Sequence, residues 1–161
     1  MLPYAIRPLE EAWRPLLDAV SGRKVEARAL ALMVARLSAR YRGEDVTVAR
    51  SDELIARARF WFPRDVVKVA LPLGELAYAG VLPARPLRVL DLGAGLGATS
   101  LGLVRALPEG HTVAHVTAID RDVDALATLR RIAEGAAERG LLPPIPSLVT
   151  ETRDVTTPVW S

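Results

Sequence analysis

Apolar positions along the chain change their period at the junction Pro83-Ala84-Arg85-Pro86. Before it they recur at helical spacing. In residues 24–41, Val25, Leu30, Met33, Val34 and Leu37 fall near a 3.6-residue repeat, with Arg28, Arg36 and Arg40 on other faces. That pattern predicts an amphipathic helix, bracketed by Gly22 and Gly43 as stop signals. An earlier helical run, residues 9–20, contains Pro15 and is expected to kink or to begin there. Ser51 reads as the N-cap of a short helix through Phe60. Pro63 opens a helix over residues 64–78, since a first-turn proline gives up only an amide that has no partner. Pro72 is expected to bend that helix.

After Pro86 strands and helices alternate. Residues 87–92 form a near-continuous apolar run, as in a strand covered on both faces. Residues 98–107 read as a helix stopped by Pro108 and Gly110, and residues 113–119 as a second strand. Asp122 or Asp124 caps a helix through Arg139, with Val123, Leu126, Leu129 and Ile132 on one face and Gly140 beyond its end. Residues 141–146 are a stiff, proline-rich linker, and residues 147–155 read as a third strand. Right-handed crossovers then give an α/β fold with a parallel sheet in spatial order 3-2-1. The expected division is an all-helical segment, residues 1–82, and a sheet segment, residues 86–161. A doubly wound sheet would continue beyond the first strand. Its bare apolar edge is a pairing hazard. The expectation is therefore a piece of a longer protein, or an edge covered by the helical half or by another chain, self-association included.

Composition narrows the function classes. The chain has 161 residues, half of them apolar, enough for a core of its own. It has no cysteine, which removes disulfides, thiolate nucleophiles and cysteine metal sites. His111 and His115 lie at the second strand, where a spacing of four does not build a metal site, so none is expected. No signal-peptide layout or membrane-length apolar stretch is present, so the expected location is the cytoplasm and no membrane partner is expected. The net charge is only +2, and residues 1–80 hold 13 basic against 10 acidic side chains. That bias permits contact with an acidic partner such as RNA but does not require it.

The chemistry sits at the strand ends. Asp91 is followed by Gly93-Ala94-Gly95-Leu96-Gly97-Ala98, and Asp120 ends the second strand. The turn reads as G-x-G-x-x-A, a dinucleotide fingerprint, or from Asp91 as D-x-G-x-G-x-G. A pyrophosphate favours amides and a helix N-terminus without a fixed negative charge nearby. Asp91 would oppose it, and would suit a ligand carrying an ammonium and a sulfonium. Loop amides would then receive a carboxylate. Asp120 can accept from both hydroxyls of a ribose. Asp154, ending the third strand, is placed to meet an adenine amino group, although Asp before Val-Thr-Thr-Pro is also a turn starter. The aromatic run Phe60-Trp61-Phe62 reads first as packing of the helical half onto the sheet, and second as a stacking platform for a base.

Residues 87–100 together with 116–122 resemble the cofactor half of a class I S-adenosylmethionine-dependent methyltransferase, a Rossmann-like fold. The resemblance covers about half the chain, residues 86–157. It implies S-adenosylmethionine as cofactor and Asp91, Gly93, Ala94, Gly95, Gly97, Asp120, Arg121, Asp154 and Val155 as its contacts. Residues that face the methyl acceptor normally follow from the fourth strand onward, so no catalytic residue is named, and these 161 residues alone are expected to be inert. A second resemblance covers more of the chain. Leu37-Ser38-Ala39-Arg40-Tyr41-Arg42-Gly43, then residues 51–58, then Arg59-Phe60-Trp61-Phe62-Pro63, is similar to the methyltransferase-like family associated with the ribosomal small subunit. It implies ribosomal RNA or small-subunit assembly as the setting. Several members of that family carry cysteines for an iron–sulfur cluster, which this chain lacks. Two alternatives stay open: a non-catalytic ribosome-assembly protein that retains the cofactor site, and an NAD-dependent oxidoreductase.

Overall fold

The computed structural model describes residues 8–156. The outermost residues of the two expected segments, 1–7 and 157–161, lie outside that range. A single 3₁₀ turn, Glu11–Trp13, leads into α1 (Arg14–Val20), whose first turn holds Pro15. The earlier run therefore begins its α-helix at the proline rather than kinking there. Then come α2 (Ala27–Tyr41) and α3 (Arg50–Ala56). Ser51 is not the cap of α3; Ala49 holds that position, and Ser51 lies within the first turn. The chain continues without a break into a π-helical stretch, Arg57–Trp61, in which the Phe62 amide reaches back five residues to the Arg57 carbonyl.

The one-turn helix α4 (Phe62–Asp65) carries Pro63 in its first turn. The expected long helix is interrupted at residues 66–69 and resumes as α5 (Ala70–Tyr78). Pro72 therefore bends nothing. It occupies the first turn of α5, where its missing N–H has no intrahelical partner to lose.

The sheet segment follows the expected order: β1 (Leu87–Leu92), α6 (Ala98–Ala106), β2 (Val113–Asp120), α7 (Val123–Glu138) and β3 (Leu148–Thr152). The strands are parallel in the order β1-β2-β3, so β2 is central. Asp91 aligns with Ala118, and Asp120 with Thr152. The fold is a mixed α/β structure with an open three-stranded parallel sheet, consistent with part of a Rossmann-like fold.

Both crossovers run in one direction across the sheet, so right-handedness puts α6 and α7 on the same face. That face holds Val89, Val116, Ala118 and Leu148, packed with Leu101, Val104, Leu129 and Ile132. Among the described residues the opposite face is open over much of its area, although Ile119 on it is buried. Leu90, Thr117 and Val149 share one register row there, and Leu90 and Leu92 are 57% and 51% exposed. The expectation of a strand buried on both faces thus fails for β1 among the described residues. Its leucines alternate across the pleat, and an apolar run does not reveal whether a second layer exists.

The helical half shares the same core. Trp13, Leu16, Leu17 and Val20 of α1, with Phe62, Val66 and Val67, join the cluster beneath the sheet. Two glycines permit this docking. A Cβ on Gly135 of α7 would meet Leu16 Cδ1 at 2.6 Å, and one on Gly102 of α6 would stand 2.0 Å from the Val66 carbonyl oxygen. No described helix is long and apolar enough to cross a membrane.

Candidate functional site

The site is built where β1 and β2 end. Leaving β1, Gly93, Gly95 and Gly97 adopt φ of 73°, 55° and 77°. Gly97 shows why the residue type matters: besides its left-handed backbone, a Cβ there would lie 2.6 Å from Leu129 Cγ. This turn lets α6 begin directly above the sheet.

The turn's own amides are mostly spent internally. Gly93 and Ala94 donate to the Ile119 carbonyl at 2.8 and 3.0 Å, and Gly97 donates to Ala94 at 2.7 Å. The Gly95 amide donates to Asp120 Oδ2 at 2.8 Å. Asp120 Oδ1 accepts from the Asp122 amide at 2.9 Å. Asp120 therefore joins the glycine turn to the β2–α7 turn, and each oxygen keeps a second lone pair for a ligand hydroxyl. Among the described residues, no protein acceptor meets the amides of Ala98 and Thr99, which open α6. These two and the Leu96 amide, rather than the glycine amides, are the free donors at the turn among the described residues.

Asp91 is placed differently from an acid at a cleft mouth. It is 8% exposed, and its Oδ2 accepts from the Ser100 hydroxyl and from the Ser100 amide. The carboxylate thus anchors the first turn of α6 from below. It does not line the cleft described next. Arg121 and Val155 are exposed at the ends of β2 and β3. Asp154 Oδ1 accepts from the Thr156 amide and hydroxyl at 2.9 and 2.6 Å, an Asx-type turn. Those bonds, aided by the nearby Arg121 charge, hold the Asp154 carboxyl below the usual range. Arg121 and Asp154 thus follow the ends of neighbouring strands, and none of Asp120, Arg121, Asp154 and Val155 lines the cleft described next.

The helical half adds a wall. A cleft of about 320 Å³ lies against the glycine turn, bounded by Gly93, Ala94, Leu96, Ala98 and Thr99 on one side. Tyr41, Arg57, Trp61, Phe62 and Asp65 bound the other. The π-helical stretch brings Arg57 over the turn: its Nη2 stands 2.9 Å from where a Cβ on Gly95 would be. Its Nη1 donates to Asp122 Oδ2 at 2.8 Å. Asp122 Oδ1 accepts from the Asp124 and Ala125 amides, the cap of α7, and pairs with Arg50 at 3.2 Å. Burial would raise the Asp122 carboxyl, but the Ala125 amide and the Arg57 and Arg50 guanidiniums outweigh it and hold the group low. The aromatic run divides. Phe62 is buried against Trp13, as core packing requires. Trp61 is half-buried on the cleft wall, edge-on to Tyr41 at 6.1 Å, and Phe60 lies under the Arg64 guanidinium.

Sequence reasoning missed Arg57, Asp65 and Tyr41. Only the aromatic run beside them was a signal. The histidines lie away from this mouth: His115 bonds Ser147 Oγ and Thr117 Oγ1, each at 2.8 Å.

The chain matches no family model and no curated protein.

Proposed function

We propose that this chain binds S-adenosylmethionine and is the cofactor-holding part of a methyltransferase. One observation carries the reading. The glycine turn after β1 and the carboxylate ending β2 meet through the Gly95–Asp120 hydrogen bond, beside a cleft of about 320 Å³. A cleft of that size falls at the lower end of small-molecule sites, which span about 300–1,000 Å³. Asp120 has lone pairs for two ribose hydroxyls, and Ala98 and Thr99 offer unpaired amides for a carboxylate. When bound, the cofactor supplies a methyl group on a sulfonium. This chain's contribution is to orient the ligand and exclude water through Leu96, Trp61 and Phe62. The acceptor proposed from the family resemblance is RNA of the small ribosomal subunit.

Calorimetry with S-adenosylhomocysteine tests the reading. Binding by the folded chain, weakened at least tenfold by Asp120→Ala, is the expected result. A folded wild-type chain that takes up no S-adenosylhomocysteine removes it.

A second reading, a nicotinamide dinucleotide, gains from one observation. Arg57 offers a cation at the glycine turn, while Asp91, the acid expected to oppose a pyrophosphate, is engaged with Ser100. The same titration with NADH separates the two, since the dinucleotide reading requires NADH to bind and S-adenosylhomocysteine not to.

A further inference from the structure

We propose that Tyr41, Phe60 and Trp61 form a stacking site for unpaired nucleobases of a single-stranded nucleic acid, with Arg64 and Lys68 meeting its phosphates. The rings carry this inference, and it goes beyond the cofactor proposed above without needing it.

The three rings come together from two separate segments. Tyr41 ends α2, and Phe60 and Trp61 end the π-helical stretch just before α4. Trp61 is the shared member. Its ring stands edge-on to Tyr41 at 6.1 Å and 73°, and to Phe60 at 5.1 Å and 85°. Edge-to-face contact is a favoured arrangement of aromatic quadrupoles, so each ring is held in a set orientation. These are not core positions. Trp13 and Phe62 of the same helical half are buried, whereas Tyr41 and Phe60 are 59% and 38% exposed. A contiguous exposed aromatic patch marks a contact surface.

The charge beside the rings selects the partner. Arg64 and Lys68 share one carboxylate, that of Asp65, at 3.6 and 2.6 Å, so this rim keeps an excess of positive charge. The Arg64 guanidinium lies 5.2 Å from the centre of the Phe60 ring, and that of Arg40 5.8 Å from the centre of the Tyr41 ring. Flat rings interleaved with guanidiniums suit a ligand that alternates planar π-faces with anions, as a nucleic-acid strand does. An apolar peptide would use the rings and leave the cations idle. In a duplex the bases stack on one another, and only an unpaired strand presents their faces. Because every base has a π-face, such a site reads the openness of the strand and not its sequence. Tyr41 and Trp61 also line the cleft beside the glycine turn, so a strand on the rings passes that cleft.

Fluorescence anisotropy on the whole chain tests this, with labelled homopolymers of about ten nucleotides, one RNA and one DNA, and a duplex of the same length. At least one single strand is expected to bind, about tenfold or more tightly than the duplex, and the stronger of the two identifies the sugar. Tyr41→Leu and Phe60→Leu keep apolar bulk and lose the π-face. Each should weaken binding by about 5–150-fold, the loss of one stacked base, while Tyr41→Phe stays within about twofold. Arg64→Gln and Lys68→Gln should each flatten the slope of log affinity against log salt by about 0.7. Thermal unfolding confirms that each variant is folded, and the more exposed Tyr41 carries the test if Phe60→Leu unfolds. A folded wild-type chain that binds neither strand at about 50 mM salt overturns the inference. So does duplex binding as tight as single-strand binding, or affinity unmoved in both leucine variants, since either leaves charge alone as the cause. S-adenosylhomocysteine uptake is measured separately, so the cofactor reading and this one fail independently.

Discussion

Asp120 Oδ2 accepts a hydrogen bond from the Gly95 amide across 2.8 Å, tying the turn after β1 to the end of β2. The other oxygen holds the Asp122 amide at 2.9 Å, so one carboxylate fixes two turns. Asp120→Ala strands both amides and should lower stability by about 1–3 kcal/mol. Asp120→Asn keeps one carbonyl oxygen and should cost less. Urea unfolding measures both, and an unchanged midpoint for Asp120→Ala would show that the turns hold their shape without it.

Beneath the same turn, Ser100 is the hydroxyl donor to the buried Asp91 carboxylate. Ser100→Ala leaves that carboxylate with the Ser100 amide alone. A loss of about 1–3 kcal/mol is expected, the cost of a buried polar group short of a partner. Ser100→Thr retains the hydroxyl, and its thermal midpoint should lie closer to wild type than that of Ser100→Ala.

Gly102 and Val66 decide whether the helical half can dock on α6. Gly→Ala in a helix normally gains about 1 kcal/mol from propensity. Here the new Cβ would sit 2.0 Å from the Val66 carbonyl oxygen, a backbone atom that no rotamer change can clear. Overpacking costs of about 1–3 kcal/mol should win, making Gly102→Ala net destabilising. A guanidinium unfolding curve reads the sign directly, and a rise in midpoint would refute the contact.

Acid should loosen the joint between the two halves. The Asp122 carboxyl is held low in the folded state. A lowered carboxyl contributes stability that is full above its unfolded value and is lost as pH falls through the folded one. The loss should therefore begin below about pH 4. Thermal midpoints of wild type and Asp122→Asn should differ at pH 7 and draw together as pH falls through the folded value, where the wild-type side chain loses the charge that asparagine never carries. A gap that stays constant with pH would assign the difference to capping geometry instead of charge.

Adjacent residues of β1 should respond in opposite ways. Val89 packs against the core, whereas Leu90 is on the open face. Val89→Lys buries a charge and should cost several kcal/mol. Leu90→Lys should fall within about 0.5 kcal/mol of wild type. Chemical denaturation of the pair distinguishes them, and similar losses would mean that the second face is covered in solution.

By itself the sequence determined the strands, the longer helices and their order, but not the π-helical stretch or the break between α4 and α5. Periodicity located α2, α6 and α7 to within a few residues, and the strands β1 and β2 almost to the residue, because apolar spacing is a local property of the chain. The glycine turn was legible for the same reason: three glycines within five residues after a strand admit few backbone paths. The cap of α7 was narrowed to two aspartates, and Asp122 holds it. What only the tertiary structure decided is which groups meet. Asp91 turns under α6 to Ser100, Asp120 closes on Gly95, and the free donors at the turn are Leu96, Ala98 and Thr99. Arg57, 38 residues before Gly95, reaches the turn from the start of the π-helical stretch, and Gly102 and Gly135 let the helices settle on the sheet segment. The open face of β1 belongs to the same class. Apolar runs record that a surface is hydrophobic, but burial depends on what stands within van der Waals reach, and that is fixed by packing between segments distant in sequence.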